Sequence, residues 1–412
     1  MRGPRIVGRL RAALGPDAAS AWQGFAALLV SSGGDLLAGL TLGAITHTLE
    51  RLPGLLVLVP AAIGMRGNIF GALGSRLGTS IHTGTFRLSR RVDTIVGQNV
   101  LASLALTVSV SLALAVLAKA VAVGFGLQHT ISVADFVVIS MVGGALSSVV
   151  VLLITLGVAA GSVRFGWDMD NVAAPLVTAA GDVVTLPSLF LATFLVGLGW
   201  VTPAVAIVTG LAGLAALVAA LRQGHGHDLL RRIVRESLPV LVLAGTVDVV
   251  AGLTIEKRLQ SFLAYPALLV LIPPFLEDSG ALGGILSSRL SSKLHLGVIE
   301  PDAVPQRRAR ADFLLTFLFA VPVFVLVALS ADLAAALSGL ASPGAFRMVV
   351  VSLLGGLVAT VFTVLVSYYG AIATFRLGLD PDNHGIPMVT SSMDLLGAFA
   401  LVLAIVVVGI GA

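Results

Sequence analysis

Residues 56–84 of this chain return 213 positions later as residues 269–297. The first copy reads LVLVPAAIGMRGNIFGALGSRLGTSIHTG and the second LVLIPPFLEDSGALGGILSSRLSSKLHLG, identical without a gap at 12 of 29 positions. A second block repeats at an offset of 212: RFGWDMDNVAAPLVTAAGD (164–182) meets RLGLDPDNHGIPMVTSSMD (376–394), identical at 9 of 19. Asp35, Gly39 and Thr41 match Asp248, Gly252 and Thr254 at 213, and Gly143 and Gly144 match Gly355 and Gly356 at 212. Shared composition does not put Arg, Asp, Asn and Pro in the same order twice. The chain reads as two copies of one unit.

That unit is built from long apolar stretches. Eleven are legible, near 22–48, 53–79, 94–124, 132–161, 171–198, 202–221, 236–256, 262–291, 312–338, 346–375 and 384–411. Crossing a bilayer as a helix takes about 20 apolar residues. The stretches are continuous and do not alternate with period two, which excludes a membrane β-barrel. Only 11% of residues are charged and 57% are hydrophobic, against about 25% charged in a soluble domain. Cysteine is absent, which removes disulfides, thiol catalysis and cysteine metal sites. The few basic residues sit at span ends, so no nucleic-acid surface is expected.

The expected fold is an all-α integral membrane protein. Two homologous five-helix transmembrane bundles lie in parallel orientation, joined by a linker helix, with one pore on a pseudo-twofold axis. The divisions expected are a cytoplasmic N-terminal segment (1–21), a first repeat (22–199), a linker with one span (200–227) and a second repeat (228–412). Five spans per repeat is odd, so the unpaired sixth stretch is needed to return the chain inside before the second repeat begins. With the N-terminus cytoplasmic, the inner loops hold Arg87, Arg90, Arg91, Arg164, Arg222, Arg231, Arg232, Arg235, Arg307, Arg308, Arg310 and Arg376, as the positive-inside rule requires. Lys257 and Arg258 are the main exception. The plasma membrane, or the inner membrane of a bacterium or archaeon, is the expected location.

The fifth span of each repeat carries polar residues on one face. Asn171, Pro175, Thr178 and Asp182 step by four, three and four, and Asn383, Pro387, Thr390 and Asp394 repeat the stripe. Such spacing lines one side of a helix. Asp182 falls ~16 Å into its helix at 1.5 Å per residue, near the middle of the membrane. An Asp there costs on the order of 2.5–3.5 kcal/mol if it faces lipid, and no equally deep Arg or Lys is evident as a partner. Facing each other across the axis, Asp182 and Asp394 repel unless a divalent cation lies between them. Mg2+ gives up water reluctantly and prefers oxygen ligands, which suits carboxylates gripping its hydration shell. Asp35 and Asp248 form a further duplicated intramembrane pair, read either as a secondary ion site or as a helix–helix hydrogen bond. Pro60, Gly64, Gly67, Gly71 and Gly74 in the second span, and Pro273, Pro274, Gly280, Gly283 and Gly284 in its twin, suggest broken helices lining a cavity. Gly143–Gly144 and Gly355–Gly356 are assigned to packing. Arg76 and Arg289 read as anchors at the inner end, His82 and His295 as structural, and His225 with His227 as a weak signal without partners.

These two elements together resemble the membrane domain of the MgtE family of magnesium channels and transporters. The second span carries Pro60, Gly64, Gly67-Asn68 and Ser75-Arg76-Leu77, similar to that family's Pro, Gly-Gly-Asn and Arg pattern. Both fifth spans carry the matching stripe: Asp168-x-Asp170-Asn171 to Pro175, Thr178 and Asp182, and Asp380-Pro-Asp382-Asn383 to Pro387, Thr390 and Asp394. The fused form looks like the animal solute-carrier relatives of MgtE. The resemblance implies Asp182 and Asp394 as central Mg2+-binding carboxylates, Asn171, Thr178, Asn383 and Thr390 along the pore, and Gly67 and Asn68 at the broken helix. It also implies that one chain supplies both pore walls, so a monomer suffices. Nothing in the sequence resembles the cytoplasmic regulatory region of MgtE channels, and gating by such a region is not expected.

The expected function is divalent cation transport, Mg2+ first, between the two repeats. Mg2+ is substrate, with no organic cofactor and only metal ions and lipid as partners. The alternatives are transport of Mn2+, Co2+ or Ca2+, or Na+-coupled Mg2+ exchange. A distant one is an intramembrane aspartyl enzyme, whose Tyr-Asp and Gly-x-Gly-Asp patterns are missing around Asp182 and Asp394. The repeats depart from symmetry where Gly64-Met65 is replaced by Glu277-Asp278. Glu277 or Asp278 is expected to add a second cation site. Neutralising both as Glu277→Gln/Asp278→Asn should therefore weaken cation binding and slow transport; unchanged affinity and flux would overturn that expectation.

Overall fold

The computed structural model describes residues 18–87, 91–127, 129–165, 169–222, 228–378 and 386–410, with side chains for all of these except 18–30, 169–175 and 386–387. All regular elements among the described residues are helices, with no strand. The chain order is α1 (Ala18–Ala44), α2 (Thr46–Arg51), α3 (Leu55–His82), α4 (Ile95–Gly124), α5 (Val133–Phe165), α6 (Met169–Thr193), α7 (Val201–Arg222), α8 (Asp228–Glu256), α9 (Leu259–Ala264), α10 (Ala267–His295), α11 (Arg307–Leu337), α12 (Ala345–Leu377) and α13 (Ile386–Val408). Ten of these helices are long and apolar enough to cross a membrane over the described residues, and α1, with 27 residues, is the eleventh long helix. In lipid every backbone N–H and C=O must find a partner within the chain, so the apolar runs become helices. The short helices α2 and α9 start 213 residues apart, a duplicated element that the apolar pattern had hidden inside longer spans.

The second helix of each repeat is not broken. α3 runs unbroken through Pro60, and α10 through Pro273 and Pro274, which corrects the expectation of interrupted helices. Each proline lacks an N–H and so frees the carbonyl four residues earlier, which for Pro60 is that of Leu56 and for Pro274 that of Val270. These carbonyls meet the other repeat. A Cβ on Gly252 of α8 would run into the Leu56 and Val57 carbonyls, and one on Gly39 of α1 would run into that of Val270. The first helix of each repeat is thus pressed backbone to backbone against the second helix of the other. A backbone approach this close permits Cα–H···O contacts, worth about 0.5–1 kcal/mol each, besides the packing it allows.

The same first helices also pack on the fifth helix of their own repeat, α1 on α6 and α8 on α13. Six helices therefore surround the centre: α1, α3, α6, α8, α10 and α13. The third and fourth helices of each repeat pack outside them. Gly143 of α5 lies 2.9 Å, as a Cβ would, from the Cα of Leu189, and Gly355 of α12 3.3 Å from that of Leu401, so the expected packing role of these two glycines is observed on both fifth helices. The linker helix α7 leans on α4, α5 and α8 and turns Val208, Leu211 and Leu214 outward, a surface suited to lipid.

Charged side chains at the helix ends join neighbouring elements. The buried Glu256 at the end of α8 accepts hydrogen bonds from Gly54 N (2.8 Å) and Leu56 N (3.1 Å) at the start of α3, where a helix N-terminus favours an anion. Gly54 has φ 95°, a conformation that glycine adopts without strain. Arg76 donates to Asn99 Oδ1 at 2.7 Å. Arg289 and Lys293 both pair with the buried Asp312, at 3.0 and 2.6 Å. The reading of the two arginines as anchors thus resolves into protein partners. His295 bonds the carbonyl of Ser291 and stands edge-on to Phe375. His225 and His227 lie outside the described residues.

If the two repeats are locked by backbone contact, Gly252→Ala should be costly, by about 1–3 kcal/mol as for an overpacked core. Gly71→Ala, where an added methyl meets nothing within 4 Å, should unfold at or slightly above the wild-type temperature. Thermal unfolding in detergent checks this, and equal melting of the two variants would remove the argument.

Candidate cation-binding site

A small cavity of about 40 Å3 lies between the repeats, lined among others by Pro60, Gly64, Asp182, Pro273, Glu277 and Asp394. This is room for two or three water molecules or a partly dehydrated ion. The lining comes in twins: Pro60 with Pro273, Asp182 with Asp394, and Gly64 with Glu277. The first two pairs are identical and the third is not, so one wall carries an extra carboxylate.

Each cavity Asp is backed by another. Asp35 of α1 lies within hydrogen-bonding reach of Asp182, and Asp248 of α8 within reach of Asp394. Gly64 makes room for the second pair, since a Cβ there would stand 3.1 Å from Asp248 Oδ2 and 3.8 Å from Asp394 Oδ2. Ser391 sits beside Asp248. Asp35, Asp182 and Asp248 are buried, and Asp394 is half-buried. Neither oxygen of Asp35, nor Oδ2 of Asp182, receives a hydrogen bond among the described residues. The two duplicated Asp pairs are thus one cluster, and Asp35 and Asp248 are not a separate site elsewhere in the bundle.

Glu277 and Asp278 part company. Successive helical residues point about 100° apart, so one reaches the cavity and the other does not. Glu277 is in the lining. Asp278 is buried and accepts from Ser32 Oγ of α1, at 2.9 Å to each of its oxygens. Both still lie within electrostatic reach of Asp35.

The threonines of the polar stripe face the second helices. A Cβ on Gly67 would meet the Thr178 methyl at 3.7 Å, and one on Gly280 would meet Thr390 Cβ at 3.8 Å. Asn68 is half-buried on α3, one residue beyond Gly67. Gly67, Asn68, Thr178 and Thr390 are not in the cavity lining. Asn171 begins α6 with its side chain outside the described set, and Asn383 lies outside the described residues, as do Asp168, Asp380 and Asp382. Among the described residues no three His, Cys, Asp or Glu side chains converge tightly enough to ligate one ion directly. An ion here would keep part of its water, as Mg2+ usually does.

One residue overturns an expectation. A deep cation is present: Arg66 of α3 is 1% exposed. It points away from the cavity, toward α4 and α5, with Nε 3.1 Å from Ser147 Oγ and Nη2 3.3 Å from Ser111 Oγ. The sequence held the signal, an Arg twelve residues into an apolar helix between Gly64 and Gly67.

Comparison with known proteins agrees with this architecture. The sequence model of the MgtE family, described as divalent cation transporter, matches residues 59–192 and again 272–404. Solute carrier family 41 member 3 of Rattus norvegicus is 26% identical over 396 residues, covering 91% of this chain and 84% of that protein. Solute carrier family 41 member 2 of Homo sapiens is 26% identical over 408 residues, covering 91% and 68%. No solved structure matches. Two matched segments in tandem, ten membrane-length helices and duplicated polar positions lead to one assignment: the chain belongs to the MgtE family of divalent cation transporters.

Proposed function

We propose that the chain carries Mg2+ across the membrane by holding it in the cavity between the repeats, against Asp182, Asp394 and Glu277. The observation that carries this reading is the placement of twin carboxylates, each backed by a second one, around one small cavity with no basic side chain in its lining among the described residues. Carboxylates packed together in low dielectric repel strongly, and a divalent cation offsets that repulsion.

The donors favour a hard ion. All are oxygens, the chain has no cysteine, and no histidine lines the cavity, so zinc and copper find no soft ligand. The loose convergence of the acids suits an ion that keeps water, which favours Mg2+ over Ca2+ with its six to eight direct oxygens. The relatives' names as solute carriers support movement of the ion over static binding. Because Asp182 and Asp394 come from the two repeats, one chain supplies both walls and a monomer is sufficient.

In this reading Asp182 and Asp394 hold the ion's hydration shell from opposite sides, and Glu277 adds a third contact from α10. Asp35 and Asp248 stand behind them and raise the local negative potential. Purified protein in liposomes should take up Mg2+, and Asp182→Asn/Asp394→Asn should lower the flux at least tenfold while leaving the protein folded. A folded wild-type protein inert toward Mg2+, Mn2+, Co2+ and Ca2+ alike would overturn the proposal.

A further inference from the structure

The pocket between the second, third and fourth helices is filled differently in the two repeats. In the second repeat it is apolar: Phe275 and Phe324 pack with ring centroids 5.0 Å apart, and Gly356 leaves the space that the Phe324 ring takes. Ser279 turns back onto its own helix, donating to the Phe275 carbonyl at 2.7 Å. In the first repeat the matching positions are Ala62, Ser111, Gly144 and Arg66, and Gly144 makes room for the guanidinium. The surrounding scaffold is the same. Ser140 Oγ donates to the Ser111 carbonyl at 2.7 Å, and its twin Ser352 Oγ to that of Phe324 at 2.8 Å.

This fold can therefore close the pocket with aromatic rings, and in one repeat it buries a charge instead. Arg66 has only two hydroxyls as hydrogen-bond partners for its Nε and Nη2, and Nη1 has none among the described residues. A guanidinium does not deprotonate in proteins, and a buried charge without a paired carboxylate is destabilising beside an apolar filling of the same space. Packing does not explain Arg66.

Its position does. Gly64, two residues before Arg66, looks onto Asp248 and Asp394, and a Cβ on Gly181, the neighbour of Asp182, would stand 3.4 Å from the Arg66 Cβ. The charge thus stands behind the cavity wall, about one helix diameter, or ~10 Å, from the carboxylates. The opposite repeat places Glu277 in the lining and Asp278 next to it where this one has Gly64 and Met65. One repeat adds positive charge behind the cavity and the other adds negative charge beside it.

We propose that Arg66 is a fixed counter-charge that weakens the cavity's hold on its cation, so that the ion is released as well as bound. This rests on the cation reading above. Arg66 touches no ion; it tunes the site through space, on the order of tenfold or more in affinity for a dication at that separation.

The test is Mg2+ binding by calorimetry on detergent-purified protein, with flux measured in parallel. Arg66→Met, which fills the pocket without charge, should bind Mg2+ at least tenfold more tightly, lowering both KM and kcat for transport, with no loss of thermal stability. Arg66→Lys should restore wild-type binding. Should the single change prevent folding, Ala62→Phe/Arg66→Ser/Ser111→Phe copies the filling of the second repeat and is held to the same outcome. Wild-type binding left unchanged or weakened by Arg66→Met would overturn this inference alone. A folded wild-type protein that binds no divalent cation would remove the cation reading and this one with it.

Discussion

The arrangement depends on how the two repeats touch. Each first helix lies against the second helix of the opposite repeat, where a glycine meets carbonyls at the start of a proline-containing helix. No side chain fits between them. Gly39 follows Asp35 by one turn, and Gly252 follows Asp248 by one turn. The crossing therefore sets where these carboxylates stand, beside the Asp of their own fifth helix and next to the second helix of the other repeat. Take away the close approach and the acids separate from the cavity they surround.

That cavity follows from apposing two copies of one polar stripe about an axis. Duplication doubles every charge, so the central cluster is acidic by construction, and its repulsion is tolerable only when a cation or protons offset it. The repeats have then diverged at the positions nearest the centre. Glu277 enters the lining where the twin has Gly64, Asp278 pairs with Ser32 where the twins are Met65 and Gly245, and Arg66 lies behind the wall where the twin is Ser279. A pore built by two identical chains could not be charged on one side only. Fusion of the copies into one chain permits that asymmetry, and the inner helices of this protein use it.

Stability and site are also divided between helices. The outer helices pack with glycines on Leu189 and Leu401, and ion pairs such as Arg289–Asp312 tie the helix ends. None of these contacts involves the central carboxylates. The inner six helices carry the buried acids, whose burial opposes folding, and rely on the surrounding packing to hold them in place.

Much of this was legible in the residues. Long apolar runs dictate helices because lipid offers the backbone no partner, and the duplicated blocks dictate two equivalent units. The spacing of Thr178 and Asp182, and of Thr390 and Asp394, marks one face of each fifth helix. What periodicity could not decide is which surfaces meet across long sequence separations. Proline and glycine in the second helices suggested breaks, yet both helices continue, because a freed carbonyl near a helix start finds a neighbour across the repeat boundary. Asp35 and Asp248 were duplicated acids without an evident place until the tertiary structure set them beside Asp182 and Asp394. Glu277 and Asp278 are adjacent in sequence and differ in role through the 100° between successive helical side chains and the identity of the helix each one faces. Arg66 looks alike in sequence whether it faces the cavity or its back. The sequence by itself determined the helices, their duplication and the acidic character of the core; only packing decided which charges share one space, since that depends on contacts between residues some two hundred positions apart.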